Sequence, residues 1–163
     1  MASKPGTATG SVYFTEVQQL RQWWLWAIIL TAGGFFGAAI ASGQEQLGGV
    51  ILGAGIWIGI TTLLVLASLR VTVDEAGIHI RQLWLFKRDI PFDRIASFEA
   101  RTYRPIREYL GWGVRYGPSG MAYNMSGNRG LQLILTDGSR VLIGSQRPED
   151  LERAVAIARE RHG

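Results

Sequence analysis

Two apolar blocks, Trp23 to Ala41 and Leu47 to Leu69, are separated only by Ser42-Gly43-Gln44-Glu45-Gln46, and neither contains an Asp, Glu, Lys, Arg or His. Their 19 and 23 residues make helices of about 29 and 34 Å at the usual helical rise. Those lengths match a bilayer's hydrocarbon core. No water satisfies backbone groups there, so each block is expected to be a helix. The short link leaves an antiparallel hairpin as the only way to connect them.

The flanks set the expected orientation. The link carries Glu45 and no Lys or Arg, whereas Lys4 and Arg21 precede the hairpin and Arg70, Arg81, Lys87 and Arg88 follow it. Positive residues favour the cytoplasmic side. The expected location is therefore the cytoplasmic (inner) membrane, multi-pass, with both termini cytoplasmic and the Gln44-Glu45-Gln46 loop outside. Trp23, Trp24 and Trp26 would form an aromatic belt above Arg21. A rival reading takes the first block as a signal peptide cleaved after Ala39-Ile40-Ala41. Its length and its opening tryptophans argue against that.

Small residues recur every fourth position: Gly33, Gly37 and Ala41 in the first helix, Gly49 and Gly53, then Gly55 and Gly59, in the second. In lipid such spacing permits close helix packing. It predicts contact within one hairpin, between hairpins, or both. Trp57, near mid-membrane, is expected to fill a notch opposite Gly33 or Gly34. With no ionisable group inside, the hairpin is poorly suited to carry protons or ions.

Composition narrows what the remainder can do. The chain has no cysteine, hence no disulfide, thiol nucleophile or cysteine metal site. From Arg70 onward 94 residues remain, enough for one small domain. They hold 15 Lys and Arg against 11 Asp and Glu. A basic domain beneath an anionic leaflet is held there by surface potential. Nucleic acid is not an expected partner, because no helix-turn-helix, finger or aromatic-rich RNA motif accompanies the charge.

The predicted organisation has three parts: a disordered lead-in over 1–12, a juxtamembrane helix with the hairpin over 13–69, and a strand-rich cytoplasmic domain over 70–163. Thr15-Glu16-Val17-Gln18 fits a capping box and predicts a short helix before the first span. After the hairpin the period changes to alternation. Val71 and Val73 form a strand, Asp74-Glu75-Ala76-Gly77 a turn, and Ile78, Ile80, Trp84 and Phe86 one side of the next strand. Lys87-Arg88-Asp89 reads as a turn, followed by strands over Ile90 to Phe92 and Ile95 to Tyr103. Two irregular strands are expected between Tyr109 and Gly130, joined at Gly117-Pro118-Ser119-Gly120. Leu131 to Thr136 and Ser139 to Ile143 flank Asp137-Gly138, which suits a type I′ hairpin. The chain closes with an amphipathic helix opening at Pro148, its stripe Leu151, Ala154, Val155 and Ala158.

An antiparallel sheet closed by a C-terminal helix resembles the pleckstrin-homology (PH) fold. More narrowly, the chain resembles bacterial membrane proteins in which two N-terminal helices precede a PH-like domain. The residues that carry this resemblance are Val71-Thr72-Val73-Asp74-Glu75-Ala76-Gly77-Ile78, then Ile90-Pro91-Phe92-Asp93-Arg94-Ile95, then Asp137 to Glu149. The resemblance implies a transmembrane hairpin plus a mainly antiparallel β barrel or sandwich with a C-terminal helix. It also implies a non-enzymatic binding or assembly module, often oligomeric. It does not imply phosphoinositide binding, because the basic first-loop lysine cluster is absent.

No catalytic residue, metal ligand set or cofactor motif is recognised. His79 and His162 lack metal-ligand spacing, Ser119 is not in a nucleophile elbow, and Gly111-Trp112-Gly113 lacks the third glycine of a dinucleotide loop. The candidate site is cationic. Arg101 to Arg147 contains seven arginines against Glu108 and Asp137, and arginine's planar fork suits carboxylate and phosphate. The candidate ligand or partner residues are Arg104, Arg107, Trp112, Arg115, Tyr123 and Arg129. They serve a protein partner, another copy of the chain, or an anionic lipid. The bland alternative is a solvated basic face, and an enzyme with an unrecognised site is a third class.

Overall fold

A computed structural model describes residues 11–20, 22–43, 47–83 and 85–162. The lead-in through residue 10, Arg21, the Gln44-Glu45-Gln46 loop and Trp84 lie outside the described residues. The chain divides into two compact units, Gln19–Ser68 and the remainder.

The first unit is a pair of helices, α1 (Trp23–Ala41) and α2 (Leu47–Leu66), both long and apolar enough to cross a membrane. They run antiparallel, because contacts descend along α2 as they ascend along α1. The Trp57 indole donates to the Ile29 carbonyl at 3.2 Å. A Cβ at Gly33 would stand 2.7 Å from the Trp57 ring, and one at Gly53 would stand 2.8 Å from the Phe36 ring. The expected notch for Trp57 is therefore Gly33. Gly37, Gly49, Gly55 and Gly59 meet nothing within 4 Å, so the small-residue spacing over-predicts contact within one hairpin.

The second unit contains two sheets. The first has the order β1-β2-β3-β4, from β1 (Phe14–Gln19), β2 (Ser68–Asp74), β3 (Gly77–Gln82) and β4 (Phe86–Ile90). A turn at Phe92–Arg94 leads into β5 (Ile95–Thr102), the short helix α3 (Pro105–Tyr109), β6 (Gly113–Gly117), β7 (Gly120–Asn124), β8 (Arg129–Leu135) and β9 (Arg140–Gly144). The second sheet has the order β5-β8-β9-β7-β6. All its pairings are antiparallel except that of β7 with β9. Helix α4 (Pro148–His162) closes the unit, packing on β5 and β8 of one sheet and β3 of the other.

Alternation builds the core. Leu69, Val71, Val73, Ile78 and Ile80 are buried from the first sheet, Leu131, Leu133, Val141 and Ile143 from the second, and Leu151, Val155 and Ala158 from α4. Because β-strand side chains alternate, Leu142 and Gln132 face the opposite way. There Leu142 forms a second small core with Ala122, Tyr103 and Tyr109.

Residues 14–19 form a strand, not the helix that the capping-box reading predicts. The Tyr13 amide donates to the Val73 carbonyl at 2.9 Å. That bond joins the start of β1 to the end of β2, so the strands run antiparallel. Phe14, Glu16 and Gln18 are buried and Thr15, Val17 and Gln19 exposed. The period of two is real but hidden, because two of the three buried residues are polar. The Glu16 carboxylate accepts from the Ser145 hydroxyl at 2.6 Å and the Gln146 amide at 2.8 Å. Gln18 donates to the Gly144 carbonyl at 2.7 Å. Long-range hydrogen bonds therefore override the local helix signal.

Three further expectations change. Lys87-Arg88-Asp89 lies inside strand β4, paired with β3, and is not a turn. Strand β3 ends at Gln82, and Phe86 opens β4 at 43 % exposure instead of sharing a buried side with Ile80. At the Asp137-Gly138 turn only Gly138 is left-handed (φ +79°). A type I′ turn needs positive φ at both central residues. Instead the Gly138 amide donates to the Leu135 carbonyl, and Asp137 caps the Ser139 amide at 2.8 Å.

Two predictions follow from these contacts. A fragment starting at Ser68 lacks β1 and should unfold at lower temperature than one in which residues 11–19 are joined to Ser68 by Asn-Gly. Circular-dichroism melting of both checks this. Gly33→Leu should displace Trp57 and open the helix pair, whereas Gly55→Leu should not. Cross-linking efficiency between cysteines placed in the two helices reads the difference.

Candidate functional site

The glycine-rich stretch folds around α3. Pro105 occupies its first turn, where a missing amide costs nothing. Leu110 ends it in a left-handed conformation (φ 61°), its amide returning to the Ile106 carbonyl at 3.0 Å. A Cβ on Gly117 would lie 2.9 Å from the Tyr109 Cα. Glycine there lets β6 lie flush against the helix.

This corner gathers part of the predicted site. Arg104, Arg107 and Trp112 line one pocket of about 280 Å³ with Tyr103, Pro105, Ile106 and Asn128. The Trp112 indole donates to the Gly127 carbonyl at 2.9 Å, and Arg115 donates to the Trp112 carbonyl at 3.1 Å. Arg115 therefore braces the corner from outside the pocket. Tyr123 is buried on β7. Arg129 is ion-paired with Glu149, at the acidic start of α4. Neither of these two joins the pocket.

Among the described residues, the Arg104 and Arg107 guanidinium groups have no ion-pair partner. Glu108, which follows Arg107 in the chain, is committed elsewhere. It accepts from the Arg101 guanidinium at 2.6 Å and from the Arg104 backbone amide at 2.7 Å. Burial raises the Glu108 pKa, but the Arg104 amide and Arg101 outweigh it and hold the carboxyl low. Arg101 also donates to Gln132 at 3.0 Å, and Tyr109 donates to the same oxygen at 3.2 Å. This network ties α3 to β5 and β8. Beside it Ile106 and Leu110 are 68 % and 73 % exposed. Two forks without ion-pair carboxylates among the described residues, in one pocket with exposed Ile106, can hold an acidic, apolar-faced ligand.

Sequence reasoning misses two other clusters. The first is a polar seam inside the second unit. Gln82 on β3 donates to the Asn124 carbonyl on β7 at 2.9 Å, and Asn124 Oδ1 accepts from the Gly113 amide at 2.8 Å. A Cβ on Gly144 would stand 2.8 Å from that of Asn124, which brings Gln18 into the same neighbourhood through its bond to Gly144. Tyr103 lies beside them, and burial pushes its hydroxyl up to about 12 despite the Asn124 side chain. No local pattern announces these contacts, because each polar group sits on a different strand.

The second cluster lies on the outer face of the first sheet. His79 Nδ1 meets Asp89 at 2.6 Å, His79 Nε2 meets Asp74 at 3.0 Å, and Arg81 donates to Asp89 at 2.6 Å. The register explains it, since His79 pairs with Asp89 across β3 and β4 and with Thr72 across β2. Burial opposes the charged imidazole, but bonds to Asp89 and Asp74 outweigh it and raise the pKa. Arg81, then His79, hold the Asp89 carboxyl below its ordinary value.

No protein-family model, curated protein or solved structure matches this chain.

A raised histidine pKa stabilises the fold fully below its unfolded value of about 6.5, and that contribution is lost as pH rises through the raised folded value. The stability advantage of the native chain over His79→Asn should therefore be larger at pH 5 than at pH 8. Thermal melts of both proteins in detergent across that range check it.

Proposed function

We propose that the chain is a membrane-anchored, non-enzymatic binding module. The helix pair spans the inner membrane with both termini in the cytoplasm, and the strand-rich unit is a PH-like domain that holds a protein partner. Support for the PH-like reading comes from connectivity. A consecutive four-stranded sheet precedes a second sheet built on β5, β8 and β9, and α4 closes both. The hairpin β6–β7, with α3, is then an insertion added at the β9 edge. The resemblance differs from its expected form in one respect: the apolar helices lie between β1 and β2 and do not precede the whole domain.

The corner at α3 carries the functional reading. Exposed Ile106 lines the same pocket as Arg104 and Arg107, which have no ion-pair carboxylate among the described residues. Apolar contact surface beside arginines is characteristic of partner-binding patches. The charge selects an acidic segment with an apolar face. A second reading assigns the same cations to anionic lipid headgroups, favoured by the chain's net charge of +4. Self-association is the third, with Gly37, Gly49, Gly55 and Gly59 left without neighbours inside one hairpin.

A photo-crosslinking amino acid at Ile106 of the full-length protein in its native membranes separates these. The expected product is an adduct to a different protein, reduced several-fold by Arg104→Glu with Arg107→Glu. Adducts to lipid alone would replace the partner reading with the lipid reading. Adducts to the chain itself would indicate self-assembly, and the absence of adducts would remove the corner as a site.

A further inference from the structure

The second sheet carries a cleft of about 320 Å³ on the face turned away from the main core, wholly within the strand-rich unit. Strand register builds its floor. Glu99 on β5 lies opposite Gln132 on β8, and Ile134, two residues further along β8, lies opposite Arg140 on β9. Side chains two apart on a strand, or directly opposite across a ladder, share a face. Gln132 and Ile134 therefore form the middle of the cleft, with Glu99 on one side and Arg140 on the other. Glu108 of α3 and Ser119, in the turn between β6 and β7, supply a wall. A Cβ on Gly120 (φ +102°) would collide with the Arg140 carbonyl, so glycine there lets the turn lie against β9.

The charges in the cleft are of two kinds. Arg101 and Glu108 neutralise each other at 2.6 Å, and Gln132 accepts from Arg101 at 3.0 Å. Glu99 and Arg140, both exposed, have no ion-pair partner among the described residues. They stand on the two strands that flank β8, about 10 Å apart at the usual strand spacing. One side of the cleft is thus negative and the other positive, with Ile134, 39 % exposed, between them.

That arrangement selects its ligand by charge. A phosphate or a fatty acid satisfies Arg140 alone, and a simple amine satisfies Glu99 alone. A molecule bearing both an ammonium and a carboxylate satisfies both. An α-amino acid carries the two charges on one carbon, whereas a dipeptide separates them by a peptide unit and better matches charges on strands two apart. We propose that this cleft binds a small zwitterion of dipeptide length, its ammonium on Glu99, its carboxylate on Arg140 and its apolar side chain on Ile134. The volume lies at the small end of ligand pockets, as a ligand of that size requires. The site is separate from the α3 corner, whose Arg104 and Arg107 line a different pocket.

Isothermal titration calorimetry of the full-length protein in detergent tests this with three probes: alanyl-isoleucine, its N-acetylated form and its C-terminal amide. Near neutral pH the free dipeptide carries both charges, and each blocked form lacks one. Alanyl-isoleucine should bind at millimolar concentration or below, and each blocked form about tenfold or more weakly. Glu99→Gln should weaken alanyl-isoleucine by a similar factor and no longer distinguish it from the acetylated form. Arg140→Gln should do the same with respect to the amide. No heat from alanyl-isoleucine at millimolar concentration would overturn the proposal. Equal binding of the acetylated form would overturn it in favour of a simple anion site, and equal binding of the amide in favour of a cation site. Binding unchanged in both variants would place the ligand elsewhere and also overturn it. The blocked probes need no substitution, so they decide the matter even where a variant fails to fold.

Discussion

The pairing of β1 with β2 is the constraint on which the rest depends. The chain leaves the first sheet at Gln19, runs through two apolar helices and returns at Ser68 into the neighbouring strand. Closing so long an excursion costs conformational entropy, which grows slowly with length but is already substantial. Side chains offset it. The Glu16 carboxylate is held by Ser145 and Gln146, Gln18 is held by Gly144, and the Arg147 guanidinium lies 5.1 Å from the centre of the Phe14 ring. Strand β1 is therefore fastened to its own sheet by backbone bonds and to the second sheet by buried polar groups. Removing one partner from such a pair leaves the other buried and unsatisfied, which is costly.

What the sequence makes legible follows from how local each determinant is. Both apolar helices, the Asp137-Gly138 reversal and the stripe of α4 are written in contiguous residues, and each is present. Strand β1 was not legible because its inward face reads Phe-Glu-Gln. Polar side chains become interior only through partners more than a hundred residues away. Helix α3 is five residues long, too short for helical periodicity to declare itself among the surrounding glycines.

The candidate site was half legible for the same reason. Composition shows that arginines are dense between 101 and 147, but it cannot say which have carboxylates beside them. Folding sorts them. Arg101 is drawn to Glu108 and Arg129 to Glu149, while Arg104 and Arg107 are left with apolar neighbours. Nearby acids thus spend their charge on structural arginines, and the pocket at α3 keeps its positive potential.

Placing the hairpin inside a sheet also orders events during synthesis. Strand β1 is made before its hydrogen-bonding neighbour, which follows only after both apolar helices, and the Ser145 and Gln146 that hold Glu16 come 129 and 130 residues after it. Non-local strand pairing of this kind is slow. Strand β1 must wait unpaired while both apolar helices are made. Completion of the strand-rich unit thereby becomes a late event, reached only after the residues that hold Glu16 have been made.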